Sequence, residues 1–235
     1  MLIGNYFKNV NLSFKNHKFS GLSFNSNNCK KNYIFFAIKG NNLNGNKFIN
    51  HAINKGAKTV VSNIKYEGFK KDVLFIRTNN VRRLLSETVS KIYRKKPKNL
   101  VAVTGTNGKS SIADFYLQIL KLNKKKVASI GTLGINSNKN KIGLQNTTLD
   151  SLQLAKYLSK LKDQKIDNVI LEASSHGLSQ NRLDGLKFQI GIFTNLSHDH
   201  LDYHKSYKNY LNAKLYLFKK LIKNNSNIVT DFDIP

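Results

Sequence analysis

Cysteine occurs once, at Cys29, in a chain of 235 residues. A single thiol excludes an internal disulfide framework and a cysteine-built zinc site. Proline occurs twice, tryptophan not at all, and no run nears 18 consecutive apolar residues, so no membrane span and no membrane partner are expected. The N-terminus, Met1-Leu2-Ile3-Gly4-Asn5-Tyr6-Phe7-Lys8, lacks a charged start, a long apolar run and a cleavage site, which predicts a cytoplasmic protein. Acidic residues are scarce: 13 Asp and Glu stand against 39 Lys and Arg, a formal net charge of +26. The basic residues are 34 Lys and only 5 Arg, beside 32 Asn. Lys and Asn are what adenine- and thymine-rich codons encode, whereas base-reading surfaces favour Arg. The lysines are also dispersed on the polar sides of amphipathic segments. No nucleic-acid partner is expected, although the field would steer an anionic substrate.

What remains is ordinary for a folded chain. Hydrophobic residues are 40% and charged residues 22%, which excludes wholesale disorder, collagen and coiled coil. The length suits one large domain or two modest ones. Residues 1–80 contain the strand-like pieces Tyr33–Ile38, Thr59–Ser62 and Val73–Ile76, and a helix near Phe48–Lys55 closed by Gly56. Val81 to Tyr93 reads as a helix with Val81, Leu84, Leu85, Val89 and Ile92 on one face, stopped by Pro97. A domain boundary is placed there, giving residues 1–97 and 98–235.

Beyond it the pattern alternates strictly. Strands are expected at Leu100–Val103, Val127–Ile130, Val169–Leu171, Phe188–Phe193 and Asn227–Thr230. Helices are expected at Ser110–Leu122, Ser151–Leu161 and Tyr207–Ile222. In Ser151–Leu161, Leu152, Ala155, Leu158 and Leu161 point inward. Such alternation predicts an α/β fold with a parallel sheet covered on both faces. The chain stops directly after a strand, so it reads as incomplete.

Thr104-Gly105-Thr106-Asn107-Gly108-Lys109-Ser110-Ser111 lies between a buried strand and an amphipathic helix, the context a phosphate-binding loop requires. Glycines let backbone N–H groups turn around phosphate oxygens, and the helix N-terminus adds partial positive charge. Lys109 would reach the β- and γ-phosphates, and the Ser110 hydroxyl a Mg²⁺ ion. Val103 stands where the usual pattern has glycine. The alternative is a generic glycine-rich turn, and even a true phosphate loop identifies a nucleotide rather than a reaction.

Glu172 leaves the carboxyl end of a strand, the rim where open parallel sheets bind ligands. It is either a metal ligand there or a satisfied polar strand end. His198, Asp199, His200, Asp202 and His204 crowd one segment after another strand, a density that suits a Mg²⁺ and substrate site on the same rim. Asn146-Thr147-Thr148 precedes a helix and could bind an anion; it could equally cap the helix, as could Asp150. Gln180 and Arg182 follow Ser174-Ser175-His176, and a bidentate anion clamp favours Arg over Lys.

Taken together, Gly105–Lys109, Asn146–Thr148, Glu172–Arg182 and Phe193–His204 resemble the Mur ligases. The resemblance is to the branch that adds the third peptide residue to UDP-N-acetylmuramoyl-L-alanyl-D-glutamate, and it spans nearly the whole chain. It implies an ATP- and Mg²⁺-dependent amide ligase of peptidoglycan precursor synthesis working through an acyl phosphate. The third residue would be meso-diaminopimelate or L-lysine. Residues 1–97 would then be a UDP-sugar-binding domain and 98–235 an ATP-binding domain. Gly105, Thr106, Asn107, Gly108, Lys109, Ser110 and Ser111 would bind ATP phosphates. Asn146, Thr147, Thr148, Ser174, Gln180 and Arg182 would hold the muramoyl-dipeptide. Glu172 and His200 would join Ser110 in ligating Mg²⁺, with Lys214 as a carbamate. Lys109, His200 and Lys214 are the implied catalytic residues. Phe24 and Ser26 match one UDP-binding segment, and Asn41, Asn42 and Leu43 a second. The family's usual Asp-Ser-Arg is here Asn25-Ser26-Asn27, and its usual Thr-Thr after the lysine is Ser110-Ser111. Its third, C-terminal domain does not occur within the 235 residues, so the chain is expected to be inactive alone, and a monomer. The competing readings are a folylpolyglutamate synthetase-like ligase and a non-catalytic nucleotide- or nucleic-acid-binding module.

Overall fold

The computed structural model describes residues 1–8, 10–40, 43–138, 140–143 and 147–231; the candidate residues Asn41, Asn42 and Asn146 lie outside them. The chain divides into two compact units, Met1–Thr88 and Val89–Pro235. In the first, strands β1 (Gly21–Ser23), β2 (Tyr33–Phe36), β3 (Ala57–Ser62), β4 (Gly68–Lys70) and β5 (Val73–Arg77) form one sheet in the order β1-β2-β3-β5-β4. Only the β4–β5 pair is antiparallel. Helix α1 (Ile49–Asn54) bridges β2 and β3, burying Ile49 and Ala52 with Phe35, Ala37 and Val60. Gly56 follows it at φ +104, a conformation side chains resist.

Helix α2 (Val81–Ile92) crosses the division between the units and ends five residues before Pro97. The second unit then alternates as its sequence predicts: β6 (Asn99–Thr104), α3 (Lys109–Leu122), β7 (Val127–Gly131), β8 (Gly134–Ser137), β9 (Lys141–Ile142), α4 (Ser151–Asp163), β10 (Asn168–Glu172), α5 (Ser175–Ser179), β11 (Phe188–Phe193), α6 (Leu201–His204), α7 (Tyr207–Tyr216) and β12 (Ile222–Thr230). The sheet order is β12-β11-β6-β10-β7-β8-β9, parallel from β12 through β7 and antiparallel over the last two pairs. β6 is central and apolar along Leu100–Val103 because both its faces are covered. Leu100 and Ala102 pack with Leu154, Leu158 and Leu161 of α4, while Val101 and Val103 pack with Ala113 of α3.

Three local readings change. Leu154, not Leu152, joins Ala155, Leu158 and Leu161 in the core, and Asp150 caps α4 by accepting from the N–H groups of Leu152 and Gln153. The β8–β9 hairpin occupies a stretch in which the sequence reading places no element, because its Asn, Ser and Lys side chains carry no apolar alternation. The helix expected to reach Ile222 ends at Tyr216, passes through a wide turn over Leu217–Leu221, and gives way to a strand whose Ile222 pairs with Phe188. No helix among the described residues is long and apolar enough to cross a membrane.

Candidate functional site

The strand order reverses at β6: the chain crosses from it towards β7 on one side and from β11 to β12 on the other. A crevice therefore opens at the carboxyl end of β6, where doubly wound sheets place ligands. A cavity of about 290 Å³ lies there, lined by Gly105–Ser111, Thr132, Thr147, Glu172, Ser174, Ser175, His200, Tyr210 and Lys214.

The loop after β6 needs its glycines. Gly105 sits at φ +149 and Gly108 at φ +81, and a Cβ on Gly105 would collide with Thr194 Oγ1. The segment after β11 braces the loop from behind. Thr106 N donates to Asn195 O at 2.9 Å, Asn107 N to Asn195 Oδ1 at 2.9 Å, and Thr194 Oγ1 to Asn107 O at 2.6 Å. Lys109, first residue of α3, folds back so that Nζ donates to Gly105 O at 2.8 Å and Thr106 O at 2.7 Å. Burial lowers its pKa, and the negative charges of Glu172 and Asp199 partly restore it.

Glu172 ends β10 and is 2% exposed. Its Oε2 accepts from Ser110 Oγ at 2.9 Å and Thr132 Oγ1 at 3.1 Å, and its Oε1 from Thr132 N at 3.0 Å. Thr148 Oγ1 donates to Glu172 O at 2.9 Å and lies 3.0 Å from Ser174 Oγ, which accepts from Gly177 N at 3.1 Å to cap α5. Arg182 donates to Thr148 O and twice to Gln180 Oε1, at 3.2 and 2.8 Å. Gln180 Nε2 in turn donates to Tyr203 Oη at 3.2 Å. The four described residues expected on the dipeptide side, apart from Thr147, are thus joined in one hydrogen-bonded chain, and Thr147 Oγ1 lies 3.0 Å from Thr132 Oγ1.

Along α7 the buried side chains are Tyr210 and Lys214, followed by Leu217 and Leu221 in the next turn. The apolar side chains of this segment in the sequence are Tyr210, Leu211, Leu215 and Phe218, and of these only Tyr210 is buried, the other three being half-buried. Lys214 is 1% exposed. Its Nζ donates to Gly105 O at 2.6 Å and lies 4.4 Å from the centre of the Tyr210 ring. Burial, reinforced by the Lys109 charge, brings its pKa down to about 7, with Asp199 pulling weakly the other way. Tyr210 Oη lies 3.0 Å from Thr106 Oγ1. His200 stands at φ +51, its N–H donating to Asp199 Oδ1 at 2.8 Å. Its ring lies 4.8 Å from that of His176, which packs on Tyr203 at 4.1 Å.

In the first unit, Phe24 is exposed and Ser26 buried, in a turn after β1 where Asn25 Oδ1 accepts from Asn27 N at 3.0 Å. Exposed Leu43 follows β2, its carbonyl accepting from Gly40 N at 2.8 Å. β1 and β2 are parallel, so both segments leave the same end of the sheet. The sequence reading assigned no site role to Thr132, Thr194, Asn195 or Tyr210. Thr194 and Asn195 lie within the segment Phe193–His204 that carries the resemblance, whereas Thr132 and Tyr210 sit in no motif; each acts across 15 or more residues of sequence, and a hydroxyl one residue past the strand Val127–Gly131 was the sole hint for Thr132.

Comparison with known proteins follows the same lines. The model of the Mur ligase middle domain matches residues 103–235. A UDP-N-acetylmuramoyl-L-alanyl-D-glutamate--2,6-diaminopimelate ligase from Rickettsia prowazekii (strain Madrid E) is 45% identical over 218 residues, 89% of this chain and 44% of that protein. A solved structure of a ligase with the same name aligns over 100% of this chain and 48% of its own, at 30% identity and a TM-score of 0.82. The MurF ligase from Thermotoga maritima in complex with ADP shares the fold, with a TM-score of 0.57 at 21% identity over 90% of this chain and 45% of its own. The chain spans about half the length of the curated relatives it matches.

Proposed function

Because the chain belongs to the Mur ligase family, we propose that it carries the nucleotide- and acceptor-binding part of an ATP-dependent amide ligase. The acceptor is UDP-N-acetylmuramoyl-L-alanyl-D-glutamate and the residue added is meso-diaminopimelate, with L-lysine the alternative. The D-glutamyl carboxylate takes the γ-phosphoryl group and ADP leaves; the incoming amine then displaces phosphate, losing a proton as the amide forms. In this reading residues 1–97 take the UDP end, around Phe24, Ser26 and Leu43, and residues 98–235 take ATP and the peptide.

The observation that carries the reading is the convergence on one cavity of the glycine loop, Lys109, Glu172 and Lys214. Two anionic reactants must be brought together, and the loop meets that need with backbone dipoles and the Lys109 cation. The bonds from Lys109 Nζ to Gly105 O and Thr106 O are ones that an incoming phosphate would replace. Thr147, Thr148, Ser174, Gln180 and Arg182 form the polar wall for the dipeptide.

Mg²⁺ fits the donors present. Among the described residues no three His, Cys, Asp or Glu side chains form a metal cage, but Mg²⁺ is commonly held by one or two carboxylates plus phosphate and water. A buried carboxylate whose partners are hydroxyls and a backbone N–H suits a hard cation. Glu172 and Ser110 would hold it, with His200 beside them, and the bound ion would neutralise phosphate charge. Lys214 as an ammonium would repel a cation and has no lone pair to offer it. Lowered to about 7, the amine has a neutral form that can add to carbon dioxide, releasing a proton and leaving carbamate oxygens facing the same cavity.

The test is calorimetric titration of ATP with Mg²⁺ into the chain and into Lys109→Ala. Loss of a charge-assisted phosphate contact should weaken affinity by about tenfold or more. Equal affinities would refute the phosphate loop.

A further inference from the structure

Thr132 carries a second assignment. It is the first residue past β7, at the turn into β8, and its side chain is largely at the surface. Yet it supplies two of the three hydrogen bonds to the buried carboxylate of Glu172, 40 residues away: N–H to Oε1 and hydroxyl to Oε2. The third comes from Ser110 of the phosphate loop. The preceding residue, Gly131, has no Cβ, and one placed there would overlap the Glu172 carboxylate. The carboxylate is therefore seated against the end of β7 and held by the residue that follows. Thr132 Oγ1 also reaches Thr147 Oγ1 at 3.0 Å, so a single hydroxyl lies between the carboxylate and the Thr147 wall of the cavity.

We infer that Thr132 is a positioning residue that aims Glu172 at the cation accompanying the nucleotide. The inference rests on the proposed Mg²⁺ role of Glu172. A carboxylate free to rotate meets a cation with either oxygen and loses orientation entropy on doing so. With Oε1 fixed by a backbone N–H and the Ser110 hydroxyl turned to the cation, the Thr132 hydroxyl on Oε2 sets the remaining rotation. A hydroxyl can also turn its hydrogen to Thr147 when a cation takes the lone pair, so it orients the carboxylate without competing for it. Partners of this kind are worth roughly ten- to a hundredfold in metal affinity.

Thr132→Val keeps the N–H bond and the shape and deletes only the hydroxyl; Thr132→Ser keeps the hydroxyl. ATP affinity is measured calorimetrically across a Mg²⁺ titration, and without the ion, for wild type, both Thr132 variants and Glu172→Gln. The Mg²⁺ concentration giving half of the affinity gain should rise roughly tenfold in Thr132→Val and stay near wild type in Thr132→Ser. Metal-free ATP affinity should be unchanged in both; Tm should hold in Thr132→Ser and fall slightly in Thr132→Val, which removes a hydrogen bond from a buried carboxylate. An unchanged Mg²⁺ requirement in Thr132→Val, with the dependence lost in Glu172→Gln, overturns the role of Thr132 and leaves the cation site standing. Mg²⁺-insensitive ATP binding by the wild type, or a Mg²⁺ dependence that survives unchanged in Glu172→Gln, overturns the cation site and this inference together.

Discussion

At the scale of single residues, the site is governed by which charges are buried and what faces them. Lys214 is the extreme case, because its amine is enclosed and stands beside the second lysine, Lys109. Both nitrogens donate to the same carbonyl, Gly105 O. Burial removes water from the ammonium, and the Lys109 charge adds repulsion, so the proton leaves near neutrality. With ¹³C-labelled bicarbonate, a carbamate signal should therefore grow as pH rises through about 7 and vanish as the amine protonates below it. Lys214→Met should abolish the signal in ¹³C NMR. A signal that needs the pH range of ordinary lysines, or survives in Lys214→Met, contradicts the assignment. The sequence made Lys214 notable only through its resemblance, since it is one of 34 lysines; its burial depends on the rotation of α7, which places Tyr210 and Lys214 inward rather than Leu211 and Leu215.

At the scale of elements, what positions the chemistry is a strand end meeting a glycine turn. The strand–loop–helix of the phosphate loop was legible because its signals are local: an apolar run, two glycines, and an amphipathic helix. The braces behind it were not. Asn195 and Thr194 reach the loop from some 90 residues away, and no local pattern announces a partner at that distance. The same holds for β8 and β9, polar strands defined by pairing rather than by hydropathy. Two glycines near this hairpin allow a direct comparison. A Cβ on Gly131 would strike the Glu172 carboxylate, whereas one on Gly143 meets nothing within 4 Å. Gly131→Ala should cost about 1–3 kcal/mol, as overpacking does, and should weaken Mg²⁺-dependent nucleotide binding. Gly143→Ala should stay within about 0.5 kcal/mol of wild type. Urea unfolding of the two variants checks the difference; equal stabilities would mean that Glu172 is not seated as described.

At the scale of the whole molecule, the architecture was predictable from the alternation of strands and helices, and strand order was not. Order emerges from long-range pairing: β6 lies between β10 and β11, neither adjacent in sequence, and only that order brings the loop after β6, Glu172 and the segment after β11 to one rim. The net charge of +26 adds a field that attracts anions without choosing among them. In the proposed function, choice would come from the chain Thr148–Ser174 and Arg182–Gln180–Tyr203, and from the segments after β1 and β2. The measurement that meets the proposal head-on is thermal unfolding of the chain with UDP-N-acetylmuramoyl-L-alanyl-D-glutamate. A ligand that binds only the folded state raises Tm with concentration by mass action, and Arg182→Ala should reduce that rise far more than Lys→Ala at a dispersed surface site. A Tm unmoved at saturating muramoyl-dipeptide, or raised instead by a folate, would contradict the account.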